Sequence, residues 1–327
     1  MSTAPRISVV IPTHNRPSLL SEALESVMTQ TMDKWEAIIV DDASLPPVPP
    51  GFTAGNQAKK IRVLRHDSPQ GGPAAKNTGA KAARGEILAF LDDDDLYAPG
   101  YLERALDVLD RHPDIQVVFM GVAWFGTNAT WGENAYHNAM QKTLKEARGI
   151  EIEAGVLFFG EPLIAALLER VPMAFQRPVV RRHTFEKIGG YRDGCLLWDC
   201  DWAIRAAMEV PTALITEGLY KQRAGNQGFS SKQDRRLEHM LSGVEIKEYL
   251  LAKTLAGCAD STRRLTLLRR SAANSWFDLA YHHMNEGALA ASLAAWKTSQ
   301  RHSFNATRIK MLGKLLLKSL APGVGKN

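Results

Sequence analysis

The stretch Ile87-Leu88-Ala89-Phe90-Leu91-Asp92-Asp93-Asp94-Asp95 decides how this chain folds. Five apolar residues in succession, too few for a helix and preceded by Gly85, read as a buried strand. Four carboxylates then mark where the chain leaves the core. Three earlier segments repeat the pattern. Residues 7–11 are a β-branched apolar run stopped by Pro12, residues 35–40 a second run ending in Asp41-Asp42, and residues 61–64 a third ending in His66-Asp67. Between these runs Leu20, Leu24, Val27 and Met28 recur at helical spacing, and the Ala-rich stretch 74–84 stops at Gly85. Pro99 opens a further helix carrying Leu102, Ala105, Leu106 and Leu109, and 117–120 is a fifth strand. Strands alternating with helices predict an α/β fold, a doubly wound and mostly parallel sheet flanked by helices.

Around this frame the pattern changes. Residues 45–60 form a Pro- and Gly-rich loop, and 121–180, with Trp124, Trp131, Gly149 and several prolines, is expected to make irregular excursions around the sheet. From Lys232 onward the periodicity is helical throughout. Residues 274–302 read as a two-helix hairpin with Trp276, Leu279 and Ala280 facing Leu289, Leu293 and Trp296. The expected division is a first domain over 1–230, followed by an all-helical extension over 231–327.

In doubly wound sheets ligands bind beyond the carboxyl ends of the strands. Here that edge receives Pro12-Thr13-His14-Asn15-Arg16, Asp41-Asp42, His66-Asp67 and Asp92 to Asp95. Helix N-caps account for one Asp at a time, not for four together, and like charges repel, so a cation is expected among them. Carboxylates without neighbouring Cys or paired His suit Mg²⁺ or Mn²⁺, which take few protein ligands and complete their shell with substrate phosphates. A diphosphate-bearing substrate follows. Neither a Walker-type loop nor a Gly-x-Gly-x-x-Gly follows any strand, which disfavours ordinary NTPases and dinucleotide enzymes. Gly71-Gly72-Pro73 with Lys76 allows backbone and ammonium to approach a phosphate.

The motifs and their order resemble the inverting, GT-A-fold glycosyltransferases of the large bacterial family 2. The resemblance rests on residues 9–16, 38–44, Lys76-Asn77-Thr78-Gly79, Arg84-Gly85-Glu86, 90–95, Gly189-Gly190-Tyr191 and Trp198-Asp199-Cys200-Asp201-Trp202, and it covers roughly residues 6–228. It implies a GT-A-like domain that moves a sugar from a UDP-sugar to the hydroxyl of a saccharide or lipid-linked saccharide, in building a bacterial surface polysaccharide or lipopolysaccharide. By that resemblance Pro12, Thr13 and Asp42 hold the nucleobase, with Asn15, Arg16, Lys76, Asn77, Asp92 and Asp93 along the nucleotide sugar. Asp92-Asp93-Asp94 matches the Asp-x-Asp element, Asp94 ligating the metal and Asp92 facing metal and ribose. Asp199 falls at the catalytic base. Two departures stand out. Trp198 replaces the commoner Glu before the base, and Arg223 stands near where many relatives have a His. Arg223 cannot ligate a cation but can neutralise a diphosphate. Asp201 reads as the cap of the following helix. Trp124, Trp131 and Trp198 are candidates for stacking on sugar faces, though two of the three suit ordinary packing.

A sugar-1-phosphate nucleotidyltransferase would share the sheet and the metal, but it opens with a Gly-rich loop that Pro12-Thr13-His14-Asn15 is not. A non-catalytic sugar-nucleotide-binding protein would not need Asp92, Asp94 and Asp199 together.

Composition sets the remaining bounds. Residues 301–327 hold six Lys/Arg and no acid, more than the formal charge of +5, so the other residues sum to about −1 and nucleic acid is not expected as a partner. Cys195, Cys200 and Cys258 make neither a disulfide framework nor a zinc spacing. No signal-peptide core precedes Pro12, and no apolar run reaches the roughly 20 residues of a membrane span. A cytoplasmic protein is expected. If 307–320 is helical, Lys310, Lys314 and Lys318 form one basic stripe opposite Ile309, Leu312, Leu315, Leu316 and Leu320, suited to peripheral contact with the inner membrane.

Overall fold

The computed structural model describes residues 4–49, 52, 58–127, 129–225, 235–257, 262–310 and 313. The strand signals are met where they were read, most of them extended by a residue or two: β1 (Ile7–Thr13), β2 (Trp35–Asp41), β3 (Ile61–Arg65) and β4 (Ile87–Phe90). β1 lies between β2 and β4 and is parallel to both, and β2 is parallel to β3, with Thr13 opposite Asp41. β1 and β2 are buried along nearly their whole length because both of their faces are covered. Residues of α1 (Pro17–Met28) and α3 (Tyr101–Arg111), among them Leu20, Leu24, Val27, Tyr101, Leu102, Leu106 and Leu109, share one core with Ile7, Val9 and Ile11. α2 (Gly72–Ala82) lies on the other face so closely that a Cβ on Gly79 would stand 2.3 Å from Val10 Cγ1. Only glycine permits that approach.

The sheet continues through residues expected to be irregular. Its full order is β3-β2-β1-β4-β9-β6-β10-β8-β7, with the short β5 (Leu96–Tyr97) pairing β10 (Thr212–Ala224). Far from being excursions, residues 121–180 are largely regular, which corrects the sequence reading. β6 (Val117–Gly126) runs on past Trp124, and α4 (Ala129–Ala147) follows. β7 (Ile150–Glu153) and β8 (Val156–Phe159) form an antiparallel pair, α5 (Pro162–Glu169) takes Pro162 in its first turn, and β9 (Pro178–Arg181) enters mid-sheet. β9 is antiparallel to both β4 and β6. This reversal matters, because it brings the residue before β9 to the edge where β4 ends. α6 (Arg182–Ile188) and α7 (Trp198–Glu209) complete this part.

The contacts divide the chain into two compact units, Met1–Gly194 with Trp198–Lys232, and Cys195–Leu197 with Gln233–Asn327. The second unit is helical: α8 (Arg236–Ala256), α9 (Thr262–Asn285) and α10 (Leu289–His302). Val244, Leu279, Ala280, Met284 and Ala295 form its core, with Trp276, Leu289 and Trp296 packed against them. Leu293, expected inside the hairpin, is instead 36% exposed. Residues 306–309 form a single 3₁₀ turn, and of the helix read over 307–320, Leu312, Lys314, Leu315, Leu316, Lys318 and Leu320 lie outside the described residues. Cys258 lies outside them as well. Among the described residues no helix is long and apolar enough to cross a membrane.

Candidate active site

The parallel core strands all deliver their carboxyl ends to one edge, and the expected residues gather there. Thr13, the last residue of β1, donates its hydroxyl to Asp93 Oδ2 at 2.7 Å. Pro12, half-buried, precedes it in β1. Asn15 takes the left-handed conformation at φ 56°. Its backbone N–H donates to Ser44 Oγ, and its side-chain oxygen accepts from the N–H of Leu45, so the loops after β1 and β2 are tied together. The ring of His14 bonds the carbonyl of Asp42 at 2.6 Å.

Asp41 and Asp42 differ in what holds them. Asp41 accepts the N–H groups of Ser44 and Val48 and pairs with Arg65, closing the loop after β2 from within. Asp42 accepts N–H from Gln70 and Gly71, each at 2.8 Å, and contacts His66 Nδ1 at 2.7 Å. Burial disfavours its charge, but these donors outweigh burial and hold the Asp42 pKa below the usual carboxylate range.

The four acids after β4 meet side-chain cations instead. Asp92 pairs with the buried Lys76 ammonium at 2.6 Å and lies 3.6 Å from Arg177. Burial opposes its charge, yet Lys76 and Arg177 bring its pKa down. Asp93 and Asp94 share the Arg16 guanidinium, 3.1 Å from each. Burial pushes Asp93 up to about 6, against the Thr13 hydroxyl and Arg16, and burial with the charge of Asp92 also raises Asp94. Asp95 is fully buried, accepting from the Tyr220 hydroxyl and the Arg223 N–H at 2.8 Å each, and burial raises it too. Three neighbouring carboxylates thus have raised pKa values. Burial is the main cause in each, and repulsion among the neighbouring carboxylates adds to it.

Asp199 lies in the first turn of α7, its carboxylate accepting from the N–H of Cys200 at 2.8 Å. Burial raises its pKa, while Arg177 and Lys76 pull the other way and Asp92 adds to the rise. Asp92 and Asp199 therefore feel the same two cations, although 107 positions separate them in sequence. Asp201, read as the cap, is fully buried and pairs with Arg205 at 2.8 Å and Arg192 at 3.1 Å. Its place inside the helix makes it a structural ion pair. Trp198 lies edge-on to Tyr191 and presents its ring face to Lys76 at 4.6 Å, so its partner is the ammonium. Trp124 is half-buried, and Trp131 is 78% exposed.

Two expected residues have other tasks. Asn77 exchanges two hydrogen bonds with the backbone of Tyr191, at 2.8 and 2.9 Å, and a Cβ on Gly190 would collide with it. It joins α2 to the 190–191 turn. Arg223 donates to the carbonyl of Asp94 and to Glu22, so it braces the acidic loop from β10.

Arg177 carries no motif in the sequence, yet it is the central cation of the site. It sits just before β9, and the antiparallel course of that strand places it level with the end of β4. Its guanidinium is 5% exposed, stacks 4.6 Å from the Tyr220 ring, donates to Gln222 at 2.7 Å and lies 3.6–3.7 Å from Asp92 and Asp95. A strand direction opposite to its neighbours is invisible in an apolar run such as Pro178-Val179-Val180, so no signal pointed to it.

The donor set suits a divalent cation. Asp92 and Asp94 offer hard oxygens with side chains 28% and 17% exposed, next to carboxylates of raised pKa. Among the described residues no three His, Cys, Asp or Glu converge to hold an ion by protein ligands alone. An ion here would complete its shell with water and phosphate.

The chain is thus an α/β sheet whose acidic carboxyl edge is balanced by Lys and Arg. Residues 8–164, just under half of the chain, match the model of glycosyl transferase family 2. An uncharacterized glycosyltransferase of Haemophilus influenzae is 34% identical over 113 residues, 35% of this chain and 37% of its own. The O-antigen biosynthesis protein RfbC of Myxococcus xanthus is 27% identical over 71% of this chain, which is 17% of that protein. The chain thus spans well under half the length of these relatives. Its fold is that of TarS residues 1–349 from S. aureus in complex with UDP-GlcNAc, with TM-score 0.60 at 15% identity over 90% of each chain. It is likewise that of the mannosyltransferase PcManGT from Pyrobaculum calidifontis in complex with GDP-Man and Mn²⁺, with TM-score 0.56 at 17% identity, 97% of this chain and 81% of that one. The architecture is GT-A-like, a mostly parallel sheet flanked by helices with a helical C-terminal region.

Proposed function

We propose that this chain is an inverting glycosyltransferase that moves a hexosyl or N-acetylhexosaminyl group from a UDP-sugar to an acceptor hydroxyl, with Mn²⁺ or Mg²⁺. The observation that carries the reading is the convergence of Asp92 and Asp199 on Lys76 and Arg177. One acid stands on the donor side and one acts as the base, and the charges of the same two cations reach both. Residues 1–230 form the catalytic domain, with the nucleotide side about 1–120 and the acceptor side about 121–230.

A divalent ion bound by Asp94 and Asp92 would supply Lewis acidity at the diphosphate. Lys76 and Arg177 hold Asp92 ionised and add positive charge where the diphosphate leaves. The pinned loops carrying Thr13, Asn15 and Asp42 form the wall for the nucleobase. Asp199, with its raised pKa, is a stronger base than an ordinary carboxylate and takes the acceptor's proton. The new C–O bond forms as the anomeric C–O bond to phosphate breaks on the opposite face, so the configuration inverts.

The UDP-GlcNAc and GDP-Man complexes of the structural neighbours support a nucleotide-sugar donor, and the O-antigen relative supports an acceptor in surface polysaccharide, with membrane contact where that acceptor is lipid-linked. The test is calorimetric binding of UDP with and without Mn²⁺ to the parent and to Asp94→Ala, alongside turnover of UDP-sugars. The variant should lose the Mn²⁺-dependent part of UDP binding. Unchanged Mn²⁺ dependence overturns the metal assignment, and absence of UDP binding by the parent overturns the donor class.

A further inference from the structure

The helical unit carries a surface that nucleotide-sugar chemistry does not use. In the α9–α10 hairpin Ser292 Oγ bonds the carbonyl of Ala280 and Ser299 Oγ that of Ala273, so the end of α10 lies beside the stretch around Arg270. The segment after α10 is pinned there. Arg308 is buried, donates to Ser299, Ser303 and Asn274, and lies 5.4 Å from the Phe277 ring, while the Trp296 indole donates to the Arg308 carbonyl. Burial lowers the Arg308 pKa, the charge of Asp278 opposes this and that of Arg270 adds to it, so both groups stand near it.

This pinned segment presents apolar and basic side chains to water together. Phe304 is 74% exposed and Ile309 44%, with Arg301, Lys310 and Arg270 exposed at the same end. Those three cations have no ion pair among the described residues. From Gly287 onward the sequence holds seven Lys/Arg and no Asp or Glu. A large apolar side chain held in water by a well-anchored segment is unfavourable unless something covers it. Unpaired cations around it select an anionic, partly apolar partner.

We propose that this end of the hairpin docks on an anionic lipid bilayer, Phe304 and Ile309 entering the interface while Arg270, Arg301 and Lys310 face the headgroups. Amphipathic protein surfaces bind anionic membranes by this combination of buried apolar area and basic residues. The proposal deepens the reading of a lipid-linked acceptor but stands on different residues from the donor site, so the two fail separately.

The experiment is vesicle flotation of the full chain on phosphatidylglycerol-containing and pure phosphatidylcholine vesicles, at low and high salt. The parent should bind the former, more weakly at high salt, and not the latter. Arg270→Gln/Arg301→Gln/Lys310→Gln should weaken binding on the order of a hundredfold, from about fivefold per charge. Phe304→Ser alone, a surface change with no fold to lose, should weaken it several-fold. Far-UV circular dichroism and thermal unfolding of these variants should match the parent's, which shows that the helical unit is folded, and their UDP binding should equal the parent's. Three results would overturn the proposal: no binding by the parent, binding unaffected by either variant, or equal affinity for a soluble polyanion with no effect of Phe304→Ser.

Discussion

Two runs of adjacent aspartates stand at the carboxyl ends of the strands on either side of β1, and they are built differently. Asp41 and Asp42 are held largely by backbone N–H groups, from Ser44, Val48, Gln70 and Gly71. Asp92 to Asp94 are held mainly by side-chain cations, Lys76, Arg16 and Arg177. Backbone donors belong to loops whose shape depends on them, so the first pair makes a fixed wall. An ammonium or guanidinium can exchange one anion for another, so the second run of three makes a site where charge is traded with an incoming diphosphate. The pKa directions divide the second run: Asp42 is lowered, and so is Asp92 beside Lys76 and Arg177, while burial raises Asp93 and Asp94.

The largest effect should come from the acid outside both runs. Asp199→Asn keeps the size of the side chain and its bond from Cys200 but cannot accept a proton. Turnover should fall roughly 10²–10⁴-fold with UDP affinity retained, the usual contribution of a general base. Turnover within a few-fold of the parent would assign the base elsewhere.

Arg177→Gln sharpens the contrast between backbone-held and cation-held acids. Removing this charge leaves Asp92 with Lys76 alone and takes away the main influence opposing the rise of Asp199. Asp199 must be ionised to act as a base, so activity falls as pH drops through its raised pKa. In the variant that acid limb should move to higher pH, and kcat at neutral pH should fall by about tenfold or more. Arg177→Lys should restore part of both. A merely structural role for Arg177 would lower activity without moving the limb.

How much of this was legible beforehand depended on whether the information is local. The strands with Asp41, Asp92 and their neighbours announce themselves by apolar runs ending in acids, and Gly79 by its place in a recognisable motif. Residues 121–180 were misread because prolines and glycines there start helices and turns between regular elements, as Pro162 does for α5. Asp201 looked like a cap because its burial against Arg205 and Arg192 depends on how α7 packs. Arg177 was missed because its position follows from a strand that runs backwards, a property of the assembled sheet alone.

The smallest effect tests the wall itself. The Asp42 carboxylate is buried and accepts two backbone N–H bonds besides its contact with His66, and its pKa is lowered on folding. A depressed pKa means that the folded state binds this proton more weakly than the unfolded chain does. Its stabilisation is therefore fully present above the unfolded carboxylate value of about 4 and is lost as pH falls below it. Asp42→Asn keeps one acceptor oxygen but puts an NH₂ where an N–H donor already points. Urea unfolding at pH 7 should show a loss of about 1–3 kcal/mol, the scale for hydrogen bonds to a charged group. The difference between parent and variant should shrink as the pH is lowered from 5 toward 3, because the parent alone loses this contribution. A difference that is constant with pH would show that the Asp42 charge is irrelevant to the fold, and the contrast between a backbone-held wall and a cation-held site would then rest on geometry alone.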